Sequence, residues 1–319
     1  MQIVIPDAYA ADQGDAGYWA ELQVHGALAV FSRTAAAEMV RRCGQAEALV
    51  VNKARVDATL LRQLPRLRYI GITATGTNIV DLDAAAARGV AVTNVPGYAA
   101  AAVAQLTFAL LLELRCGTSA LGRAAKDGRW ARSPDFCLMV HPLTELAGKT
   151  LVLFGGGAIG TAVGRIAEAF GMDVLRAQVP GRSTSGRVEP SAALAVADVV
   201  SLHCPLTPET ERLVDARFLA RLKPGAILLN TSRGGLIDDK ALVEALASGH
   251  LGGAGLDVLS QEPPPLDHPL LTPSAPWAER VLVTPHIAWG TVEARRRLCR
   301  EAALNLAAFL RGERRNRVV

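Results

Sequence analysis

The chain has 319 residues, 50% hydrophobic and 20% charged, which is enough apolar material for about two domain cores and argues against disorder. Its 34 Lys and Arg against 30 Asp and Glu leave a net charge of only +4. The clusters Arg295-Arg296-Arg297 and Arg314-Arg315 read as the solvated face of a terminal helix, and no aromatic-plus-basic module accompanies them, so no nucleic-acid partner is expected.

Cys43, Cys116, Cys137, Cys204 and Cys299 are odd in number and never form a C-x-x-C pair, which argues against a disulfide framework and a metal site. The opening Met1-Gln2-Ile3-Val4-Ile5-Pro6-Asp7 lacks the basic segment of a signal peptide. The most apolar run, Ala99 to Leu114, holds Gln105 and Glu113 and is short for a bilayer. These features predict a cytoplasmic protein with no membrane partner.

In chain order, strands are predicted at Gln2–Pro6, Ala27–Phe31, Ala48–Val51, Tyr69–Thr73 and Val90–Asn94, with helical patterns between them at Ala35–Arg42, Asp57–Leu64 and Leu82–Arg88. A long helix at Ala100–Arg115 follows. The segment from Gly117 to Leu146, with Trp130, Pro134, Phe136 and Pro142, shows no clear period and is too long for a connector, so it is predicted to be an arm that packs on another surface, a second subunit being one candidate. A second series of strands is predicted at Thr150–Phe154, Asp173–Arg176, Val199–His203, Ala226–Asn230, Gly253–Asp257 and Val281–Thr284, before a final helix at Thr291–Arg311. Strand–helix alternation of this kind predicts an α/β protein with parallel sheets covered on both faces.

The sharpest local signal is Leu151-Val152-Leu153-Phe154-Gly155-Gly156-Gly157-Ala158-Ile159-Gly160. Gly155, Gly157 and Gly160 fit G-x-G-x-x-G between a buried strand and an amphipathic helix, the context a dinucleotide pyrophosphate requires. The next strand should end in a carboxylate if the ligand is NAD, which uses it to hold the ribose 2′-OH. Gln178 stands there instead, followed by Pro180-Gly181-Arg182-Ser183. A missing carboxylate removes repulsion toward a 2′-phosphate and Arg182 is able to pair with one, so NADP is favoured over NAD. The plainer reading keeps Arg182 and Arg176 as surface charges.

Ligands of open α/β sheets bind at the carboxyl ends of the strands. Those ends carry His203-Cys204-Pro205-Leu206-Thr207, then Asn230-Thr231-Ser232-Arg233-Gly234, then Asp257 with Glu262 in the following loop, then Pro285-His286-Ile287-Ala288. A guanidinium, a carboxylate and an imidazole thus gather on one rim. Singly, each has a structural explanation; jointly, facing a dinucleotide, they point to catalysis. His203 reads as part of the cofactor wall, and Cys204 has no base nearby in sequence to make it a nucleophile.

At these residues the sequence resembles the D-isomer-specific 2-hydroxyacid dehydrogenases. The matches include Thr73-Ala74-Thr75-Gly76-Thr77-Asn78, Asn94-Val95-Pro96-Gly97-Tyr98, Glu145-Leu146-Ala147-Gly148-Lys149-Thr150, the glycine turn, Asn230-Thr231-Ser232-Arg233-Gly234-Gly235, Gly255-Leu256-Asp257-Val258, Glu262-Pro263 and Thr284-Pro285-His286. Val103-Ala104-Gln105 and the run from Trp130 to Cys137 look most like the glycerate dehydrogenase (hydroxypyruvate or glyoxylate reductase) branch. The resemblance implies two doubly wound domains: a flavodoxin-like substrate domain of residues 1–98 and 290–319, and a Rossmann cofactor domain of residues 99–289. It also implies a cleft at their junction and a homodimer using residues 117–146.

By the same resemblance Arg233 binds the substrate carboxylate and polarises its carbonyl, His286 donates the proton, and Glu262 orients His286 and raises its pKa. Ala74, Thr75 and Gly76 would offer backbone N–H groups to the carboxylate. Thr107, Ile159, Gly160, Cys204, Pro205, Thr210, Thr231, Asp257 and Ala288 would contact the cofactor, and the reading of the residues themselves adds Gly155, Gly157, Gln178, Arg182, Ser183 and Ser232, with Gln178 a departure from the family's usual acidic residue. Gly156 departs from the family pattern, where a larger residue is common, and so does the four-alanine run Ala99–Ala102. The expected activity is hydride transfer from NAD(P)H to a small 2-oxo acid such as hydroxypyruvate or glyoxylate. The alternatives are another 2-hydroxy acid such as 3-phosphoglycerate, which would want extra cations near Thr73–Asn78, and a dinucleotide-sensing binding protein of the same fold.

Overall fold

Short strands with apolar residues on both faces force two covered sheets. In a computed structural model describing residues 1–319, the chain divides into two units, Met1–Ala99 with Trp289–Val319, and Ala100–Ala288. Each division lies one residue from the boundary read from the sequence.

The first unit holds β1 (Gln2–Ile5), β2 (Ala27–Val30), β3 (Ala48–Val51), β4 (Tyr69–Ile72) and β5 (Ala91–Thr93), in the order β2-β1-β3-β4-β5. All the pairings are parallel, and the order is that of flavodoxin-like sheets. Side chains alternate between two cores. Val4, Leu49, Val51, Ile70, Ile72 and Val92 meet Met39, Leu61 and Ala85 on one face. Ile3, Ile5, Ala48, Val50, Tyr69 and Ala91 meet Trp19, Leu22 and the C-terminal helix Val292–Leu310, through Cys299, Ala303 and Leu306, on the other. The tail then returns to the sheet edge, where Val318 N–H donates to Val92 O at 2.8 Å.

The basic cluster on that helix is not wholly solvated. Arg295 is 6% exposed: Nη1 donates to Ala11 O at 2.9 Å, and the guanidinium lies 5.0 Å from the Tyr18 ring centre. The helix turns this position toward the N-terminal helices, where the charge is satisfied by a carbonyl and an aromatic face.

The second unit holds β6 (Thr150–Phe154), β7 (Asp173–Ala177), β8 (Val199–Leu202), β9 (Ala226–Asn230), β10 (Leu251–Leu256) and β11 (Val281–Val283), in the order β11-β10-β9-β8-β6-β7. A seventh position survives as a single parallel bridge, Ala177 to Val188, on the outer edge of β7. Leu151, Leu153, Val199, Ile227 and Leu229 pack beneath the helices Ala100–Cys116 and Ala158–Ala169. Val152, Phe154, Val200, Leu202, Leu228 and Leu256 fill the opposite core. Gly255 permits the close seat of the first of these helices, because a Cβ there would lie 2.9 Å from Leu110 Cβ.

The segment read as lacking a period begins with a helix, Thr118–Lys126, after Gly117 turns left-handed at φ +56°. The Glu113 carboxylate accepts from Thr118 Oγ1 and from Ser119 N–H at 3.1 Å, serving the first turn from the preceding helix. The helix is amphipathic, but at nine residues with Gly122 inside it the pattern spans too few turns to stand out within a long segment. Beyond it Phe136 and Met139 stand 93% and 80% exposed, an apolar surface with no partner within this chain. No single helix is long and apolar enough to cross a membrane.

Candidate active site

The turn after β6 is shaped by backbone proximity. Gly155 adopts φ +119°, and a Cβ there would lie 2.3 Å from His203 O; one at Gly160 would lie 2.1 Å from Gly155 O. The helix is thereby drawn onto the strand end. A Cβ at Gly157 would meet nothing within 4 Å, and no side chain caps the helix that starts at Ala158. This open, uncapped N-terminus suits the pyrophosphate of a dinucleotide. Ile159, in the first helical turn, is partly buried on the Phe108 core.

Around the turn, Thr107 Oγ1 donates to Val103 O at 2.8 Å and lies 3.0 Å from Thr231 Oγ1, both residues being buried. Thr210 braces the loop after β8: its Oγ1 donates to Pro205 O at 2.7 Å and accepts from Thr207 N–H at 2.8 Å. Cys204 is buried, and burial pushes its thiol up to about 11, so it is a wall of the site and not a nucleophile. Arg182 and Ser183 are exposed, and Arg182 helps hold the Glu209 carboxyl below its ordinary range, behind the Thr207 hydroxyl and the Glu209 N–H.

The candidate reactive residues follow neighbouring strands. Arg233 follows β9, is exposed, and donates from Nη1 to Ser232 O at 2.7 Å. Asn230 clamps that bend, donating from Nδ2 to Arg233 O at 2.9 Å and accepting from Ser232 N–H at 3.0 Å. A Cβ at Gly234 would lie 1.9 Å from Leu259 O, so the loop after β10 passes directly against the Arg233 turn. In that loop Glu262 accepts Leu259 N–H at Oε1 (3.1 Å) and contacts His286 Nδ1 through Oε2 at 2.6 Å.

His286 is held in the left-handed region at φ +54°, costly for a side-chain-bearing residue and overcome by its surroundings. Asp257, 1% exposed, supplies them. Its Oδ1 accepts from Thr284 Oγ1 (2.6 Å) and Ile287 N–H (2.9 Å), its Oδ2 accepts from Ala288 N–H (2.8 Å), and its carbonyl accepts from His286 N–H (2.8 Å). Burial raises the Asp257 carboxyl above its ordinary value, while these three carboxylate bonds and the charge of His286 work against the shift. Asp257, read from the sequence as a cofactor contact, thus turns its carboxylate to the His286 loop. Its partner Thr284 and the clamp Asn230 were missed as functional positions; the signal available was a short polar residue at a strand's carboxyl end.

In the first unit, the carbonyls of Ala74 and Thr75 are taken by Val95 N–H (2.9 Å) and Asn94 Nδ2 (2.7 Å), while the N–H groups of Ala74, Thr75 and Gly76 donate to no protein acceptor. Successive unclaimed N–H groups at a strand end suit an anion. Lys53, on the loop after β3, was also missed. Asn52 beside it ties that loop to Thr73, donating from Nδ2 to Thr73 O at 2.6 Å, and the Lys53 ammonium lies 5.6 Å from the Trp289 ring centre.

His203 is not a second acid. An edge of the residue reaches solvent, but Nδ1 is enclosed without a protein partner, Nε2 lies 2.8 Å from Ser201 Oγ, and burial pushes its pKa down to about 4. Between its usual 6.5 and about 4 the unfolded chain takes a proton that the folded protein refuses, so His203 makes stability fall as pH drops through that window. His203→Asn should reduce this fall, read as melting temperature from pH 7 to pH 4.5; parallel curves for both proteins would refute the assignment.

Residues 108–288 match the family model described as "D-isomer specific 2-hydroxyacid dehydrogenase, NAD binding domain". A hydroxypyruvate reductase of Blautia hydrogenotrophica is 40% identical over 98% of this chain and 98% of its own length. A glycerate dehydrogenase of Methylorubrum extorquens is 40% identical over 88% of this chain and 87% of its own. Among solved structures, the D-lactate dehydrogenase of Aquifex aeolicus complexed with NAD and lactic acid superposes with a TM-score of 0.81 at 28% identity, covering 98% of this chain and 96% of that one. The chain belongs to the D-isomer-specific 2-hydroxyacid dehydrogenases, and it is an oxidoreductase that takes a nicotinamide dinucleotide and reduces a small 2-oxo acid to the D-2-hydroxy acid.

Proposed function

We infer that the substrate is hydroxypyruvate or glyoxylate, that NADPH is the preferred hydride source, and that the enzyme acts in the cytoplasm as a homodimer. The observation carrying the chemistry is the 2.6 Å contact between His286 Nδ1 and Glu262 Oε2 on a rim that also bears Arg233. The dinucleotide supplies the hydride. Charge then builds on the carbonyl oxygen, and a proton must reach it. With Nδ1 turned to Glu262, His286 Nε2 is the atom that passes the proton, and the carboxylate holds the ring in that orientation. The Arg233 fork pairs with the substrate carboxylate and draws electron density from the adjacent carbonyl. The N–H groups of Ala74, Thr75 and Gly76 suit the same kind of anion.

The choice of substrate is supported by the two near-full-length relatives and by the absence of Lys or Arg within 73–78. Lys53 favours a second reading, a 2-oxo acid with an additional anionic group, because it stands beside that loop. Support for NADPH comes from Gln178, which replaces the ribose-binding carboxylate. The dimer reading rests on the exposed Trp130, Phe136, Met139 and Leu143 within 117–146.

His286→Ala should lower kcat on the order of 10²–10⁴-fold while cofactor binding persists, and a near-normal kcat would remove His286 from the proton path. Glu262 holds Nδ1 and sets the ring, so Glu262→Ala should lower reductive kcat on the order of 10-fold or more while cofactor binding persists. An unchanged kcat would leave Glu262 a loop charge. Steady-state kcat/KM for hydroxypyruvate, glyoxylate and 3-phosphohydroxypyruvate, each with NADPH and NADH, tests the rest. The first two substrates with NADPH should lead; a preference for the phosphorylated acid would establish the Lys53 reading, and a preference for NADH would overturn the cofactor assignment.

A further inference from the structure

The sequence pattern places the adenosine-side phosphate contact on Arg182, the first arginine after Gln178, but the structure offers a better-built candidate in Arg187. Its backbone is fixed at the outer edge of β7: Arg187 N–H donates to Thr184 O at 3.1 Å, and the next residue, Val188, exchanges hydrogen bonds with Arg176 O and Gln178 N, both at 2.9 Å. From there the side chain reaches the glycine turn. A Cβ built at Gly156 would lie 2.8 Å from Arg187 Nη2, 3.4 Å from Nη1 and 3.5 Å from Cζ. Val188 flanks β7 on one side and Gly156 follows β6 on the other, so the guanidinium spans the carboxyl end of β7, where Gln178 stands.

Two features mark this as a site for an anion. Arg187 Nη1 is buried and has no acceptor in the protein. A guanidinium N–H enclosed without an acceptor is costly to leave unmade, and a phosphate oxygen is its natural complement. The second feature is Gly156 itself, whose missing side chain leaves the space into which the guanidinium fits. Arg182, by contrast, is exposed and its charge acts on Glu209.

We propose that Arg187, seated over Gly156, is the residue that binds the 2′-phosphate of NADPH, and that Gly156 is retained to seat it. This rests on the NADPH reading above and names the residue pair responsible. Gln178, uncharged at the same strand end, leaves the phosphate unopposed.

The test is calorimetric titration of the intact enzyme with 2′,5′-ADP and with 5′-AMP, which differ only in the 2′-phosphate. The wild type should bind 2′,5′-ADP more tightly. Arg187→Gln should weaken 2′,5′-ADP on the order of 10- to 100-fold and leave 5′-AMP within about two-fold. Gly156→Ala should reproduce much of this selective loss, because only the far end of a flexible side chain has to yield to the new methyl group. A wild type that binds both nucleotides equally overturns the NADPH reading itself. A wild type that prefers 2′,5′-ADP, with the preference intact in Arg187→Gln, keeps that reading and overturns the role of Arg187. Equal losses for both nucleotides in Arg187→Gln would assign the guanidinium to the AMP moiety the two share and also overturn it. A Gly156→Ala enzyme with full preference would refute the seating by Gly156.

Discussion

A single buried carboxylate, Asp257 at the end of β10, fixes the geometry on which the chemistry depends. It gathers the Thr284 hydroxyl and the N–H groups of Ile287 and Ala288, and its own carbonyl receives His286 N–H. Hydrogen bonds to a charged acceptor contribute roughly 1.5–3 kcal/mol each, enough in sum to hold His286 in the left-handed region that an L side chain resists. That conformation aims the imidazole at Glu262. The carboxylate that touches the imidazole is therefore only half of the arrangement; the other half, Asp257, is enclosed and touches the backbone.

The first unit uses the same physics. The Asp7 carboxylate, just past β1, accepts N–H groups from Asn52 at 3.1 Å and Ala54 at 2.6 Å, and so fixes the loop that carries Lys53. In a parallel sheet, neighbouring strands end on the same side, and their last residues have no further strand partner. A short acidic side chain at one end can claim the unmade N–H groups of the next loop. Both units place their candidate polar groups on loops braced in this way.

Strand order explains the layout within the second unit. β9, β10 and β11 lie side by side, so Arg233, Glu262 and His286 converge although 53 positions separate the first from the last. The glycine turn lies farther along, where β6 meets β8 and the order reverses, the place where open α/β sheets bind ligands. Gly155, Gly160 and Gly234 each allow a backbone approach that a Cβ would block, and these approaches set how near the turn, the β8 end and the Glu262 loop come to one another.

Local order was legible in the chain. Short apolar runs gave the strands to within about two residues, the spacing of Gly155, Gly157 and Gly160 marked the glycine turn, and polar strand ends marked Arg233, Glu262 and His286 as candidates. These signals are short-range, a matter of which residue types recur at which spacing. Tertiary structure alone decided that Arg295 is buried against Tyr18, that Glu113 accepts from the first turn of the Thr118–Lys126 helix, that Asp257 serves the His286 loop, and that Arg187 reaches across β7 to Gly156. Each of these depends on which strand or helix becomes a neighbour and on the space left between them. No periodicity encodes that, because sheet order and close packing join residues by distance in space and not by distance along the chain.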